Sequence, residues 1–187
     1  MEHEMLLSYL PTEQQQQVRT YRFDEDRILS LYARILSRIA LVRLLHCDPQ
    51  DLCIFVAPGC KPTVDTTALP GNPKVDFNYS HTRNAVLLGV TDEGIIGVDI
   101  ERIQQAPFEL MEMAFHPDEI RYVEGGDATT RHQRFFEIWT KKEAYTKCMG
   151  TGLITDLPRQ NTFDASIAPH LYTWQVDDYM CSVCLYH

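Results

Sequence analysis

Residues 135–147 read Phe-Phe-Glu-Ile-Trp-Thr-Lys-Lys-Glu-Ala-Tyr-Thr-Lys. The run holds no Gly or Pro, so nothing in it breaks a helix. At 3.6 residues per turn, Phe135, Phe136, Trp139, Lys142, Glu143 and Thr146 share one side, with Lys147 at its edge. Glu137, Thr140, Lys141 and Ala144 take the other. Glu143 thus lies on an apolar stripe beside Phe136 and Trp139. A carboxylate drawn toward a core must be neutralised, paired or bound to a metal, because desolvating a lone charge is costly. An ion pair with Lys147, one turn on, or with an arginine elsewhere meets that need. A metal ion meets it too.

A second acidic stretch bears on that choice. Residues 94–101 read Gly-Ile-Ile-Gly-Val-Asp-Ile-Glu, a strand by composition. Strand side chains alternate, so Ile96, Val98 and Ile100 point one way while Ile95, Gly97, Asp99 and Glu101 point the other. Asp99 and Glu101 leave one face a single pleat repeat apart, and like charges so close repel unless a cation lies between them. With Glu143, three carboxylates can converge. An all-oxygen set suits a hard divalent ion, Mg²⁺ before Mn²⁺ or Ca²⁺, and Mg²⁺ held this way takes further ligands from water and substrate phosphates.

The rest of the composition narrows the class. The chain has 187 residues, 44% hydrophobic and 23% charged, with a net charge of −9. That is enough chain for one sizeable core or two small ones. The acidic balance argues against nucleic-acid binding. No apolar run reaches the roughly 20 residues that span a bilayer, and the acidic start Met-Glu-His-Glu-Met lacks the basic region of a signal peptide. The six cysteines show no paired metal-ligand spacing, so the expectation is a cytoplasmic protein with reduced thiols.

In chain order, residues 1–10 suggest a short strand, and Gln14–Gln17 a solvated helical turn. Asp24–Leu45 carries apolar residues at helical spacing (Ile28, Leu31, Ile35, Ile39, Val42), with Asp24 able to cap its start. Arg27, Arg34 and Arg38 form a stripe beside it, either a solvated flank or part of an anion site. Asp51–Ala57 reads as a strand and 58–73 as a Pro/Gly-rich loop. Ala85–Val90 and Ile95–Ile100 look like a hairpin turning at 91–94, with Ser80, His81 and Arg83 on the preceding loop. Residues 102–107 divide the chain into subdomains 1–102 and 103–187. Beyond them come helices over 108–115 and from Pro117, the helix of the opening stretch, a turn over 150–153, and strands over 162–167, 171–176 and 179–186. Each half offers helices with antiparallel strands, an α+β pattern that suggests duplication, although no sequence repeat proves it.

Several of these segments together resemble one family. Gly97-Val98-Asp99-Ile100-Glu101 and Trp139-Thr-Lys-Lys-Glu-Ala-Tyr-Thr-Lys147 are similar to the two signatures of the 4′-phosphopantetheinyl transferases. Asn78-Tyr-Ser-His81, Gly59-Cys-Lys-Pro62, Phe115-His-Pro-Asp-Glu119 and Gly150-Thr-Gly-Leu153 resemble further landmarks. The length fits the larger, pseudo-dimeric type, a monomer of two similar halves with the active site between them. The resemblance implies transfer of 4′-phosphopantetheine from coenzyme A to a serine of an apo acyl or peptidyl carrier protein, leaving adenosine 3′,5′-bisphosphate. It also implies that Asp99, Glu101 and Glu143 hold Mg²⁺, with Asp99, Glu143 and Lys147 in catalysis. Ser80 and His81 would meet the 3′-phosphate, Lys61 would lie by the adenine and ribose, and Lys142 would meet phosphate oxygens. Relatives carry lysines at Gln14 and Gln17 and an arginine at Leu29, so Arg19, Arg22 or Arg27 would substitute. The competing expectations are a metal-dependent phosphohydrolase using the same carboxylates and a non-catalytic module that binds coenzyme A or a carrier.

Overall fold

The computed structural model describes residues 2–57, 59–150 and 157–187. Helices α1 (Glu2–Leu7), α2 (Thr12–Arg19) and α3 (Asp24–Leu45) precede strands β1 (Cys53–Phe55), β2 (Thr63–Asp65), β3 (Asp76–Thr82), β4 (Ala85–Thr91) and β5 (Ile95–Arg102). Then follow α4 (Met111–Ala114), α5 (Pro117–Glu124), α6 (Thr130–Met149), β6 (Leu171–Val176) and β7 (Tyr179–Tyr186). The strands form antiparallel pairs β1–β2 and β3–β4 and a three-stranded sheet in the order β5–β7–β6. The α+β class read from the sequence holds.

The N-terminal segment is helical where a strand was expected. Leu7 and Leu10 recur at helical spacing and bury against Val18 and Leu31. The glutamines of α2 are not a solvated turn, since Gln14 is buried and its Nε2 donates to Ile54 O at 3.1 Å. Gln17 Nε2 likewise reaches Val56 O at 3.0 Å. Two side-chain amides thereby satisfy carbonyls along β1.

Helix α3 has the expected limits but a different buried face. Leu29, Leu31, Ala33, Arg34, Ser37 and Leu41 are buried, whereas Ile39 is 45% exposed. Ile35, Ile39 and Val42 instead line a surface cavity of about 860 Å³, floored by Leu52, Ile54 and Phe55. Phe23, not Asp24, occupies the cap position, and Asp24 pairs with Arg27 in the first turn at 3.1 Å. The loop expected from Pro58 begins outside the described residues and holds the short strand β2.

The hairpin is β3–β4 rather than β4–β5. Ser80 and His81 are therefore strand residues, and the turn falls at Arg83-Asn84, with Asn84 in the left-handed region that Asn tolerates. Asp92–Gly94 instead carries the chain to the next sheet. Gly94 has φ +85, and a Cβ there would lie 1.8 Å from Tyr186 O, so glycine is required. Residues 162–167 form turns closed by Asn161 and Asp164 side chains on Phe163 N and Ser166 N, which displace the expected strand.

Strands β3 and β5 meet in an unusual way. Asp76 Oδ2 accepts from Ile96 N at 2.7 Å and Asn78 Oδ1 from Val98 N at 2.9 Å. Ser80 Oγ donates to Asp99 Oδ1 at 2.8 Å and Thr82 Oγ1 to Glu101 Oε2 at 3.2 Å. The partners ascend together, so the strands run side by side in the same direction, joined by β3 side chains. This seam joins the N-terminal elements to the β5–β7–β6 sheet.

Helix α6 is buried on more than one side. Thr140 and Ala144, expected on the outer face, are both fully buried. Thr140 Oγ1 lies 2.8 Å from Ser182 Oγ on β7, and a Cβ on Gly97 would fall 2.1 Å from Ala144 O. The helix thus lies directly on the sheet, with Gly97 giving the clearance. Its other side meets Phe115, with the Phe135 and Trp139 rings stacked at 5.9 Å. Gly150 ends it in the left-handed conformation, and the rest of the turn expected over 150–153 lies outside the described residues.

Candidate active site at the seam

Asp99 sits at the centre of the seam, 2% exposed. The alternation of β5 turns it with Gly97 toward α6, as the sequence predicted. One turn beyond Glu143, Lys147 reaches it, with Nζ 2.5 Å from Asp99 Oδ1 and 3.1 Å from Ser80 Oγ. Asp99 Oδ2 is buried and has no hydrogen-bond partner among the described residues.

Glu101 and Glu143 complete the acidic group. Burial, then repulsion from Asp99 and Glu143, pushes the Glu101 carboxyl up to about 7, against the hydrogen bond from Thr82 and the charge of Lys147. Glu143 is raised as well, first by burial and then by Asp99, while Lys147 opposes the shift. Three carboxylates therefore share the field of one ammonium. Among the described residues, no three His, Cys, Asp or Glu side chains close on a common point near enough to ligate an ion as they stand. The donor chemistry nonetheless fits a hard cation: the set is all oxygen, one buried carboxylate oxygen is orphaned, and two carboxyls are held up by burial and mutual charge.

Of the other residues predicted for the site, Ser80 joins the cluster and the rest make contacts outside it. Lys142 is 3% exposed, and its ammonium pairs with Glu119 at 2.8 Å and donates to the carbonyls of Leu157 and Gln160. These contacts surround the ammonium with protein oxygens, whereas the resemblance implied phosphate oxygens there. Lys61 belongs to the seam, paired with Asp76 and donating to Ile96 O at 2.7 Å. Arg27 is bound to Asp24 and to Tyr21 O at 3.2 Å. Ser80 and His81 are consecutive on a strand and leave opposite faces, with Ser80 on Asp99. Burial, then Lys147, lowers the His81 imidazole, opposed by Asp26 of α3.

Sequence reading did not single out Arg34. It is 6% exposed, its Nη1 is buried without a partner among the described residues, and it lines a cavity of about 280 Å³ with Gln17, Tyr21, Cys60 and Tyr79. Its place in an arginine stripe was the only sequence signal, and that signal does not separate it from Arg27 or Arg38. Thr82 and Asp76 were also missed, because their partners on β5 lie 19 and 20 residues away.

Comparison with known proteins identifies the family. Residues 95–187 match the 4′-phosphopantetheinyl transferase superfamily, and residues 1–92 match the 4′-phosphopantetheinyl transferase N-terminal family. The chain belongs to the 4′-phosphopantetheinyl transferases. Its two adjoining matches mark the larger type, in which an N-terminal part accompanies the conserved unit. It is 31% identical over 165 residues to a Synechocystis sp. protein named as a 4′-phosphopantetheinyl transferase, slr0495, covering 87% of this chain and 65% of that one. It is 32% identical over 163 residues to the phosphopantetheinyl transferase of Thraustochytrium sp., covering 80% and 56%. The match to 4′-phosphopantetheinyl transferase Sfp of Bacillus subtilis is 26% over 152 residues, covering 81% and 65%. The chain thus spans 56–65% of the length of these relatives.

Proposed function

We propose that this chain transfers the 4′-phosphopantetheine group of coenzyme A to a serine hydroxyl of an apo acyl or peptidyl carrier protein, releasing adenosine 3′,5′-bisphosphate. The observation that carries the reading is the seam cluster, in which Lys147 and Ser80 hold one oxygen of Asp99 while its other oxygen is free and Glu101 and Glu143 crowd alongside. Asp99, Glu101 and Glu143 would hold a divalent cation, Mg²⁺ by donor type, which when bound supplies neutralising charge at the diphosphate.

The chain's own residues account for the remaining requirements. Ser80 fixes the rotation of the Asp99 carboxylate. Lys147 brings a positive charge to the same point and can turn it on diphosphate oxygens. Glu143 is the general base for the serine proton. Arg34 in the smaller cavity offers an unused guanidinium N–H to an anionic group of the coenzyme A nucleotide.

The test is mass spectrometry of several apo carriers mixed with the protein, coenzyme A and Mg²⁺. The carriers should gain the mass of one phosphopantetheine group. Glu143→Gln should lower the rate at least about a hundredfold, the scale of a lost general base, with an unchanged circular dichroism spectrum. No mass gain on any carrier, or free nucleotide released without one, would reject the reading.

A further inference from the structure

The buried pair Lys142–Glu119 lies outside the acidic cluster, and its geometry has a bearing on that cluster. Glu119 is fully buried, accepts three hydrogen bonds and makes one ion pair. Oε1 takes Thr162 N and Thr162 Oγ1, both at 2.8 Å, and Oε2 takes His116 N at 2.7 Å and the Lys142 ammonium at 2.8 Å. Lys142 spends its other protons on Leu157 O, at 3.0 Å, and on Gln160 O. One ion pair therefore ties α6 to the start of α5 and to the 157–162 segment.

We infer that Lys142 and Glu119 are positioning residues that set the roll of α6 and so aim Glu143 and Lys147 at Asp99. The inference rests on the functional reading above for its kinetic consequence, but not for its geometry. Lys142 and Glu143 are consecutive, about 100° apart around the helix, so fixing one direction fixes the other. Thr140 on Ser182 and Ala144 over Gly97 hold the sheet-facing side of α6, and Lys142 holds a different side. On the side facing Phe115, the α6 rings of Phe135 and Trp139 pack against it, and apolar packing is non-directional. An ammonium enclosed by three protein oxygens resists a roll in either sense. Buried ion pairs often add little net stability compared with apolar replacements, and direction is what such a pair contributes here.

The test is the double variant Lys142→Met/Glu119→Gln, which removes both charges together. Three quantities are measured: transfer kcat, coenzyme A affinity by calorimetry, and the nuclear Overhauser contact between the Lys147 and Ser80 side chains. If the pair positions α6, kcat falls at least about tenfold, affinity stays within about threefold, and the Lys147–Ser80 contact weakens. A kcat within about twofold of the parent with the contact intact makes the pair purely structural and overturns the inference. Lost affinity with the contact intact overturns it differently, by placing Lys142 on a phosphate. If the parent transfers nothing, the functional reading fails, and the contact alone decides: its loss supports positioning and its retention rejects it. Glu119→Gln, which keeps an acceptor for Thr162, is read by the same criteria if the double variant does not fold.

Discussion

Glu101 shows how a single side chain records the demands of the site. Its carboxyl is pushed up from an ordinary 4.5 to about 7, so the fold disfavours its charged form. The sign follows by linkage. Below about pH 4.5 Glu101 is neutral in both folded and unfolded chains and adds no penalty. The penalty grows as pH rises from 4.5 to 7 and is constant above that. Glu101→Gln, whose amide oxygen can still accept from Thr82, should therefore stabilise the metal-free protein at pH 8 by on the order of 1–2 kcal/mol, discounted for partial solvation. At pH 4.5 it should change little. Urea denaturation at the two pH values checks this, and equal effects at both would remove charge crowding as the cause.

At the scale of elements, β3 satisfies backbone donors of β5 through its own side chains. Asn78→Ala would leave the fully buried Val98 N–H without an acceptor, at a cost of about 1–3 kcal/mol. Thr66→Ala, which breaks an exposed bond to Asn72, should cost less than about 0.5 kcal/mol. Denaturation midpoints would separate them. The same scale shows what was legible beforehand. The limits of α3 and β7 and the start of β5 were readable because long periodic runs between turn residues leave little choice. The common direction of Asp99 and Gly97 was readable because strand alternation is strict. The burial of α6 was not, because a helix enclosed on several sides shows no polar face, and Thr140 and Ala144 look like surface residues. The fate of Lys142 was also hidden. A lysine beside a carboxylate suggests phosphate in a motif, while its partner Glu119 lies 23 residues away (142 − 119) and meets it only through tertiary packing.

At the scale of the whole molecule, the cluster draws on both sides of the seam, Ser80 from one and Asp99, Glu143 and Lys147 from the other. An ion that binds only the folded arrangement should therefore stabilise everything at once. Millimolar Mg²⁺ at pH 8 is expected to raise the melting temperature by about 3–8 °C, and Asp99→Asn should abolish the rise. A parent that melts at the same temperature with and without Mg²⁺ would argue against cation binding by these carboxylates.

A backbone ladder is uniform, so two strands can slide by a pair of residues and find identical rungs again. The joint between β3 and β5 lacks that freedom, because its rungs run Asp76, Asn78, Ser80 and Thr82, each matched to a different recipient. A slide of one pleat would set Asn78 opposite Ile96 and pull Asp76 away from it, and Ser80 would leave Asp99. The joint works like the cuts of a key: it admits one alignment, and in that alignment Ser80 arrives beside Asp99 and Lys147.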